Sequence, residues 1–184
     1  MKLMFASDIH GSYPSTVQML KRFDEEGAER LILLGDILYH GPRNDLPAGY
    51  APKEVIRLLN ERKDKLFCVR GNCDTEVDQM VLEFPVLAEY ALMYLEGRTV
   101  FITHGHKFNT ANPPLIGNGD ILIHGHTHVQ VIDESNGYVY INPGSVSIPK
   151  ENKEKSYMVY EDGVFSIKNL HDGTVEMKYS IIDN

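Results

Sequence analysis

The first half of the chain alternates between short apolar runs and amphipathic segments. The runs KLMFAS (residues 2–7) and RLILLGD (residues 30–36) predict two buried strands. Between them, Val17, Leu20 and Phe23 recur at helical spacing, which predicts a helix that opens at Pro14 and closes at Gly27. A second helix is predicted near Pro52, with the apolar residues Val55, Ile56, Leu58 and Leu59, and a third strand follows in KLFCVR (residues 65–70). This alternation predicts a mainly parallel sheet.

From residue 86 the pattern changes to short strands joined by turns. Tight-turn dipeptides separate the apolar runs at Glu96-Gly97, Asn136-Gly137, Asp162-Gly163 and Asp172-Gly173. We therefore expect the second half to be largely antiparallel. Residues 39–52 predict one long irregular loop, of the kind that often borders functional sites. The whole pattern predicts a single mixed α/β domain over residues 1–184.

Composition narrows the partners and the compartment. The formal charge is −8, from 26 acidic and 18 basic residues, so a long nucleic acid would be repelled and a small substrate fits better. Only two cysteines, Cys68 and Cys73, are present, which indicates a reducing compartment and predicts a cytoplasmic protein. No apolar run approaches the length of a membrane span, so no membrane partner is expected. A homo-oligomer is left open.

Metal-binding side chains follow the predicted strands in five separate groups. If the strands end on the same side, their loops converge where open α/β sheets bind ligands. An extended backbone at His126-Thr127-His128 would place two imidazoles on one face, about 6.6 Å apart at Cα. An isolated Asp-x-His or Gly-Asp is typical of a cap, a turn or a solvated pair, whereas the two close imidazoles of Gly-His-Thr-His have few structural uses at a strand end. Of the lone histidines, His171 is typical of a surface residue and His40 remains a candidate for the site. The five groups are Asp8-Ile9-His10, Gly35-Asp36, Gly71-Asn72-Cys73-Asp74, His104-Gly105-His106 and Gly125-His126-Thr127-His128.

The types of donor atom limit which metal ions suit the site. Carboxylates, imidazoles and the Asn72 amide, without an obligatory thiolate, suit Mn, Fe, Co or Zn with open positions better than a closed structural zinc site. Seven candidate ligands exceed what one ion can use, so we expect two ions about 3.5 to 4 Å apart that share a carboxylate, with Asp36 as the natural bridge. Such a pair lowers the pKa of bound water from about 15.7 towards about 7. It also binds both the attacking and the leaving oxygen during an in-line displacement at phosphorus.

The order D-x-H, G-D, G-N-x-D, H and G-H-x-H resembles the calcineurin-like metallophosphoesterase family over residues 8–145. The GNCD form and the NPGS turn (residues 142–145) further resemble the small YfcE-type bacterial phosphodiesterases. The resemblance implies a four-layer α/β/β/α sandwich of two mixed sheets flanked by helices. It also implies two divalent ions, with Mn²⁺ first and Zn²⁺, Fe²⁺, Co²⁺ or Ni²⁺ as alternatives. By resemblance, the first ion is bound by Asp8, His10, Asp36 and His128, and the second by Asp36, Asn72, His104 and His126.

One position departs from the family pattern. Many members have a histidine after the asparagine, where it contacts phosphate or protonates the leaving oxygen, but this chain has Cys73. His106 is the nearest alternative acid, and its plainer role is to orient a ligand. His124 is expected to support a ligand or the core, and Asp74 and Arg70 are expected to have structural roles.

The predicted function is a metal-dependent phosphodiesterase in which a hydroxide bridging two ions attacks phosphorus and the substrate is a small phosphodiester. Two alternatives use the same fold. One is a phosphomonoesterase or nucleotide phosphatase with different pocket walls, and the other is a non-catalytic protein-binding scaffold.

Overall fold

The computed structural model describes residues 1–182, which form two stacked β-sheets with flanking helices. The helices are α1 (Tyr13–Glu26), α2 (Pro52–Asn60) and α3 (Glu76–Gln79), with a short 3₁₀ helix at Lys63–Lys65. In chain order the strands are β1 (Lys2–Ala6), β2 (Arg30–Leu33), β3 (Leu66–Cys68), β4 (Tyr90–Leu95), β5 (Arg98–Thr103), β6 (Ile121–Ile123), β7 (Gln130–Asp133), β8 (Val139–Pro143), β9 (Ser156–Glu161), β10 (Val164–Asn169) and β11 (Val175–Ser180).

Both sheets are mixed. The first has the order β11-β10-β9-β1-β2-β3, in which β1, β2 and β3 are parallel and β9 to β11 are antiparallel. The second has the order β4-β5-β6-β8-β7, in which β5, β6 and β8 are parallel. The expectation of a largely antiparallel second half agrees with the pairings of β4 with β5, β7 with β8, and β9 to β11, but it is wrong for the centre of this sheet. The long connection between β5 and β6 allows the chain to return and pair in parallel, which a tight turn cannot do.

The turn and cap residues form the predicted local structures. Glu96 and Gly97 have φ of 47° and 78°, and Asp162 and Gly163 have φ of 47° and 80°. These positive angles are typical of the two-residue turns that close β-hairpins. Helix α1 ends at Gly27, which has a left-handed φ of 64°. Val17, predicted on the buried side of this helix, is instead exposed, and Met19 and Thr16 are buried beside Leu20 and Phe23.

The core has two main layers. Helices α1 and α2 cover the outer face of the first sheet, where Met19 and Val55 belong to the same buried cluster as Leu31. Between the sheets, Phe5 and Ile32 from the first pack in one cluster with Ile102 and Ile123 from the second. The outer face of the second sheet is covered by the loop over residues 104–120, where Phe108 and Ile116 pack against it. Two mixed sheets with flanking helices agree with the expected α/β fold class.

No helix in the described part of the chain is both long enough and apolar enough to cross a membrane.

Candidate metal centre

The five sequence groups converge at the carboxyl ends of parallel strands. Asp8 and His10 follow β1, Asp36 follows β2, Asn72 follows β3, His104 follows β5, and His126 and His128 follow β6. Strands β1, β2 and β3 are parallel in one sheet, and β5 and β6 are parallel in the other. Both sheets therefore deliver their loops to the same end of the sandwich.

Asp8, His10 and His128 form the first close set of ligand atoms. The His10 Nε2 atom is 3.3 Å from His128 Nε2 and 3.7 Å from Asp8 Oδ1, and His128 Nε2 is 3.3 Å from the same oxygen. Both histidines hydrogen bond through Nδ1 to backbone carbonyls, His10 to Tyr39 and His128 to Ile148, each at 2.8 Å. The two Nε2 atoms therefore point towards each other and towards the carboxylate.

Asp36, His104 and His126 form the second set, and Asn72 adjoins it. The His104 Nε2 atom is 3.1 Å from His126 Nδ1, 3.1 Å from Asn72 Oδ1 and 3.4 Å from Asp36 Oδ2. His104 is oriented by its Nδ1 atom, which is 2.7 Å from the Leu34 carbonyl. Two imidazole nitrogens, one carboxylate oxygen and one amide oxygen thus face one point.

Asp36 lies between the two sets. Its Oδ2 atom is 3.4 Å from His104 Nε2 in the second set and 3.7 Å from His10 Nε2 in the first. Its other oxygen accepts a hydrogen bond from the Cys73 backbone N–H at 2.8 Å. The neighbouring Asp74 carboxylate accepts hydrogen bonds from the backbone N–H groups of Asp36, Ile37 and Gly71. Asp74 therefore holds the loops that carry Asp36 and Asn72 together.

The backbone at the ligands is not extended. Positive φ angles occur at Asp8 (59°), His10 (49°), Asp36 (56°), His126 (67°) and His128 (61°). The prediction that His126 and His128 share a face of an extended strand is therefore wrong. The left-handed residues turn the two side chains into different sets, and the strand pattern before them gives no sign of this turn.

The arrangement fits divalent cations on three observations. First, Asp8 Oδ1 is buried without a hydrogen-bond partner, although two Nε2 atoms face it. Second, these Nε2 atoms are already oriented by carbonyl groups on the far side of each ring, as metal-binding histidines are. Third, the donors are imidazole, carboxylate and amide groups, which suit Mn, Fe, Co and Zn.

The electrostatics of the cluster agree with a requirement for positive charge. Burial alone would raise the pKa of Asp8, but the close approach of the His128 ring and the charges of His104, His128 and His10 hold it well below its usual range. Burial also opposes protonation of His104, yet its hydrogen bond with Asp36 and the charges of Asp8 and Asp36 raise its pKa to about 9. Burial and the charge of His104 lower the pKa of His126 to about 4. The two buried carboxylates thus draw a cation into the site, and a bound metal would displace the His104 proton.

The two candidate acids differ in position. Cys73 is buried, and its Sγ atom belongs to a close set with the ligand atoms of His10 and Asp36. Burial and the nearby Asp36 carboxylate raise the pKa of the Cys73 thiol. His106 lies on the rim, with its ring centroid 5.4 Å from that of His104 and a buried Nδ1 atom that has no hydrogen-bond partner. Burial and the charge of His104 lower the pKa of His106.

The remaining side chains have structural contacts. His124 is buried, stacks on Tyr140 at 4.4 Å between ring centroids, and has a pKa lowered to about 4 by burial. Arg70 donates a hydrogen bond to the Asp74 carbonyl and lies 3.8 Å from Glu76. His40 packs edge-on against Tyr39 and Tyr50. None of these three belongs to the close sets of ligand atoms formed by residues 1–182.

A cleft of about 310 Å³ opens over the ligand cluster. Four of the residues that line it are not among the site residues that the sequence predicts. Arg43 and Asn44 lie in the loop over residues 39–52, and the length of this loop was the only sign of a role at the site. Thr127 lies between two predicted ligands but was given no role of its own, and nothing in the local pattern indicates Lys150 as a cleft residue. The lining residues are Asp36, Arg43, Asn44, Asn72, His126, Thr127, His128 and Lys150.

A sandwich of two mixed sheets with such a ligand cluster at the strand ends defines a metallophosphoesterase. The calcineurin-like phosphoesterase superfamily domain matches residues 1–162, and the chain belongs to this family. It is 48% identical to phosphodiesterase YfcE of Escherichia coli over 181 residues, which cover 98% of each chain. The solved structure of E. coli YfcE, a phosphoesterase, matches with a TM-score of 0.95 over 98% of this chain and 100% of that chain.

A more distant likeness shows the fold alone. Vps29 of Entamoeba histolytica, solved in complex with zinc, is 20% identical and has a TM-score of 0.59 over 98% of this chain and 99% of its own. The predictions of the calcineurin-like family, of its α/β fold and of an enzyme that hydrolyses phosphoesters are confirmed. The scaffold alternative is not favoured by these relatives.

Proposed function

We propose that the protein is a metal-dependent phosphodiesterase that binds two divalent ions. Asp8, His10, Asp36 and His128 would hold the first ion, and Asp36, Asn72, His104 and His126 the second. The observation that carries the proposal is the position of Asp36, whose Oδ2 atom lies 3.7 Å from His10 Nε2 and 3.4 Å from His104 Nε2. A carboxylate placed between two sets of nitrogen ligands suits a pair of ions that share it.

When bound, the metal pair would activate water near neutral pH and neutralise the negative charge on the oxygens of the reacting phosphate. The chain's own residues prepare the site for this chemistry. The Tyr39, Leu34 and Ile148 carbonyls fix the rings of His10, His104 and His128, so the ligands are ordered before substrate arrives. Cys73 and His106 are the candidates for donating a proton to the leaving oxygen, since both border the ligand cluster.

We propose a diester rather than a monoester as the substrate because E. coli YfcE, which matches nearly the whole chain, is named a phosphodiesterase. The intact ligand set supports an enzyme rather than a binding scaffold. The ligand chemistry is compatible with several ions, and we propose Mn²⁺ first, with Zn²⁺, Fe²⁺, Co²⁺ and Ni²⁺ as alternatives.

The test is a hydrolysis assay on metal-defined protein. Protein stripped with a chelator should lose the hydrolysis of bis(4-nitrophenyl) phosphate, and Mn²⁺ should restore it with about two ions bound per chain. The rate should exceed that for 4-nitrophenyl phosphate, a monoester with the same leaving group. Full activity in rigorously metal-free protein, confirmed by elemental analysis, would refute the mechanism, and a higher rate on the monoester would favour the phosphomonoesterase.

Two further proposals concern organisation and location. We propose that residues 1–184 form one metallophosphoesterase domain. This is supported by the pairing of β9 with β1 and of β10 with β9, which joins the last strands of the chain to the first sheet. We propose a cytoplasmic location because both cysteines, Cys68 and Cys73, are free and buried, as suits a reducing compartment.

A further inference from the structure

Two cations lie at the mouth of the metal cleft. Arg43 and Lys150 both line the cleft of about 310 Å³ above the ligand cluster. The same two residues also line a neighbouring cleft of about 350 Å³, so the two clefts meet at these side chains. A substrate bound at the ligand cluster could therefore extend past both cations.

Both cations are carried by segments that hydrogen bond to ligand histidines. The loop with Arg43 begins at Tyr39, whose carbonyl accepts from His10 Nδ1, and Asn44 fixes this loop through the His40 carbonyl at 2.8 Å. The Lys150 backbone N–H donates to the His128 carbonyl at 3.1 Å. Both cations thus have fixed attachment points beside the first ligand set.

Neither cation is neutralised by a carboxylate of residues 1–182. In the described part of the chain, no carboxylate lies within ion-pairing distance of Arg43 or Lys150, although Asp45 and Glu151 are their neighbours in sequence. Asp45 is the one carboxylate that lines the neighbouring cleft, which leaves a net positive charge there. This local positive charge is opposite in sign to the formal charge of the whole chain, which is −8.

The neighbouring cleft has apolar walls behind the cations. Leu46, Pro47 and Ala48 form one side, and Ile148 and Pro149 form the other. Apolar walls with two unpaired donors at the entrance suit an organic arm that carries an anionic group, because the guanidinium and ammonium groups bind phosphate and carboxylate oxygens.

We propose that Arg43 and Lys150 form a subsite for a second anionic group on the substrate. The substrate class is then a small phosphodiester whose retained arm carries a further phosphate, phosphonate or carboxylate a few bonds from the reacting phosphorus. This inference rests on the proposed function, since it places the reacting phosphate at the ligand cluster. Arg43 and Lys150 act here as specificity residues, and the metal ligands remain those proposed above.

The experiment compares two substrates with the same leaving group. Ethyl 4-nitrophenyl phosphate has one negative group, and 2-phosphonoethyl 4-nitrophenyl phosphate adds a second anion on the retained arm. With Mn²⁺ at low salt, wild-type kcat/KM should be at least about fivefold higher for the phosphonate, as expected for contacts with two exposed cations. Arg43→Gln and Lys150→Gln should each reduce this preference about two- to fivefold, and the double variant should bring it near one. Added salt should weaken the wild-type preference.

Lys178→Gln on the edge strand β11 is the matched control, because it removes one exposed cation that lines neither cleft and should leave the preference unchanged. A wild-type preference near one would overturn the subsite. So would a preference that survives in the double variant, or one that falls equally in Lys178→Gln.

A binding measurement separates this inference from the proposed function. Calorimetry on Mn²⁺-loaded protein should show tighter binding of 1,3-propylenediphosphonate than of propylphosphonate, and the double variant should remove the difference. If neither ester is hydrolysed, the proposed function fails and the binding preference alone decides the subsite. Equal Kd values for the two ligands in wild type would overturn it.

Discussion

At the scale of single residues, the site depends on backbone angles that side chains rarely adopt. Asp8, His10, Asp36, His126 and His128 all have positive φ. Aspartate and histidine are among the non-glycine residues that tolerate this region best, and such angles persist where surrounding contacts fix them. Those contacts include the Ser145 and Ser147 hydroxyls, which both donate to the Asp8 carbonyl at 2.9 and 2.7 Å. The sequence reveals the ligand types, while their orientation depends on these contacts between distant segments.

Asp36→Asn tests the shared ligand with little disturbance of the backbone, because asparagine also tolerates positive φ. We expect it to weaken the binding of both ions together and to lower kcat on the order of a hundredfold or more, since one carboxylate would bind both ions. Metal content and kcat, measured across a Mn²⁺ titration, provide the test. Asp8→Asn is the comparison variant and should preferentially weaken the binding of the first ion. Normal metal content and rate in Asp36→Asn would place the bridge elsewhere.

Cys73→His tests the position where the family pattern has a histidine. Burial and the Asp36 carboxylate raise the pKa of the Cys73 thiol above its ordinary value, and a thiol is a weak hydrogen-bond donor, so Cys73 should protonate a leaving oxygen poorly. General acid catalysis is typically worth about 10²- to 10⁴-fold, so wild type should strongly favour diesters with acidic phenol leaving groups. A cleft of about 350 Å³, lined by Cys73 with Gly41 and Asn44, offers room for the larger ring. Cys73→His should raise the rate selectively for poor leaving groups.

The measurement is kcat/KM against leaving-group pKa for wild type and Cys73→His. A steep dependence that flattens in the variant supports this role for position 73. A shallow wild-type dependence would mean that another acid already serves, and His106→Asn would then steepen it if His106 is that acid.

At the scale of elements, the loops of the two sheets approach each other through glycines. A Cβ atom on Gly125, after β6, would lie 1.9 Å from Ser7 Oγ and 2.8 Å from Asp8 Oδ2, both after β1. The sequence pattern predicted β1, β2 and β3, the four turns and both longer helices, because these follow from local spacing and from proline and glycine. It did not predict the parallel centre of the second sheet, because that pairing joins strands that are distant in sequence.

Gly125→Ala is expected to force the β6 loop away from Asp8. The clash involves the atoms of a fixed ligand, so we expect a loss of unfolding free energy of about 1 to 3 kcal/mol, as for other overpacked sites, together with weaker metal binding. Thermal or chemical unfolding and Mn²⁺ calorimetry measure the two effects. Gly117→Ala is the control, since its Cβ atom would meet only the end of the Asp120 side chain, at 3.0 Å. Equal effects in both variants would contradict the proposed contact between the loops.

At the scale of the whole molecule, the site needs both halves of the chain. The first half supplies Asp8, His10, Asp36 and Asn72, and the second supplies the other three predicted ligands. The sequence could indicate these residues because each follows a strand. It could not place Arg43 and Lys150 at the same cleft, because their proximity comes from the packing of two irregular loops. The same dependence on distant segments appears on the outer face of the first sheet, around Glu26.

Glu26 ends helix α1 and joins it to three strands. Its Oε1 atom accepts hydrogen bonds from Tyr157 on β9, at 2.7 Å, and from Lys168 on β10, and its Oε2 atom lies 3.2 Å from Lys2 on β1. Burial alone would raise the pKa of Glu26, but its contacts with Lys168, Tyr157 and Lys2 outweigh burial and lower it below the ordinary value of 4.5. The folded state therefore favours the charged carboxylate more than the unfolded state does.

Glu26→Gln should accordingly destabilise the protein in a way that depends on pH. Above pH 4.5 the wild-type carboxylate is charged in both states, so its full contribution is present, and we expect the variant to lose about 1 to 3 kcal/mol of unfolding free energy. As pH falls through the lowered folded pKa, wild-type Glu26 takes up a proton and the difference between the two proteins should shrink. Urea unfolding between pH 3 and pH 7 measures this difference. Glu134→Gln, an exposed change in the turn between β7 and β8, is the control and should show little effect at any pH. A Glu26→Gln difference that stays constant down to pH 3 would mean that the side chain contributes through its shape and neutral hydrogen bonds, and that its charge does not link the helix to the sheet.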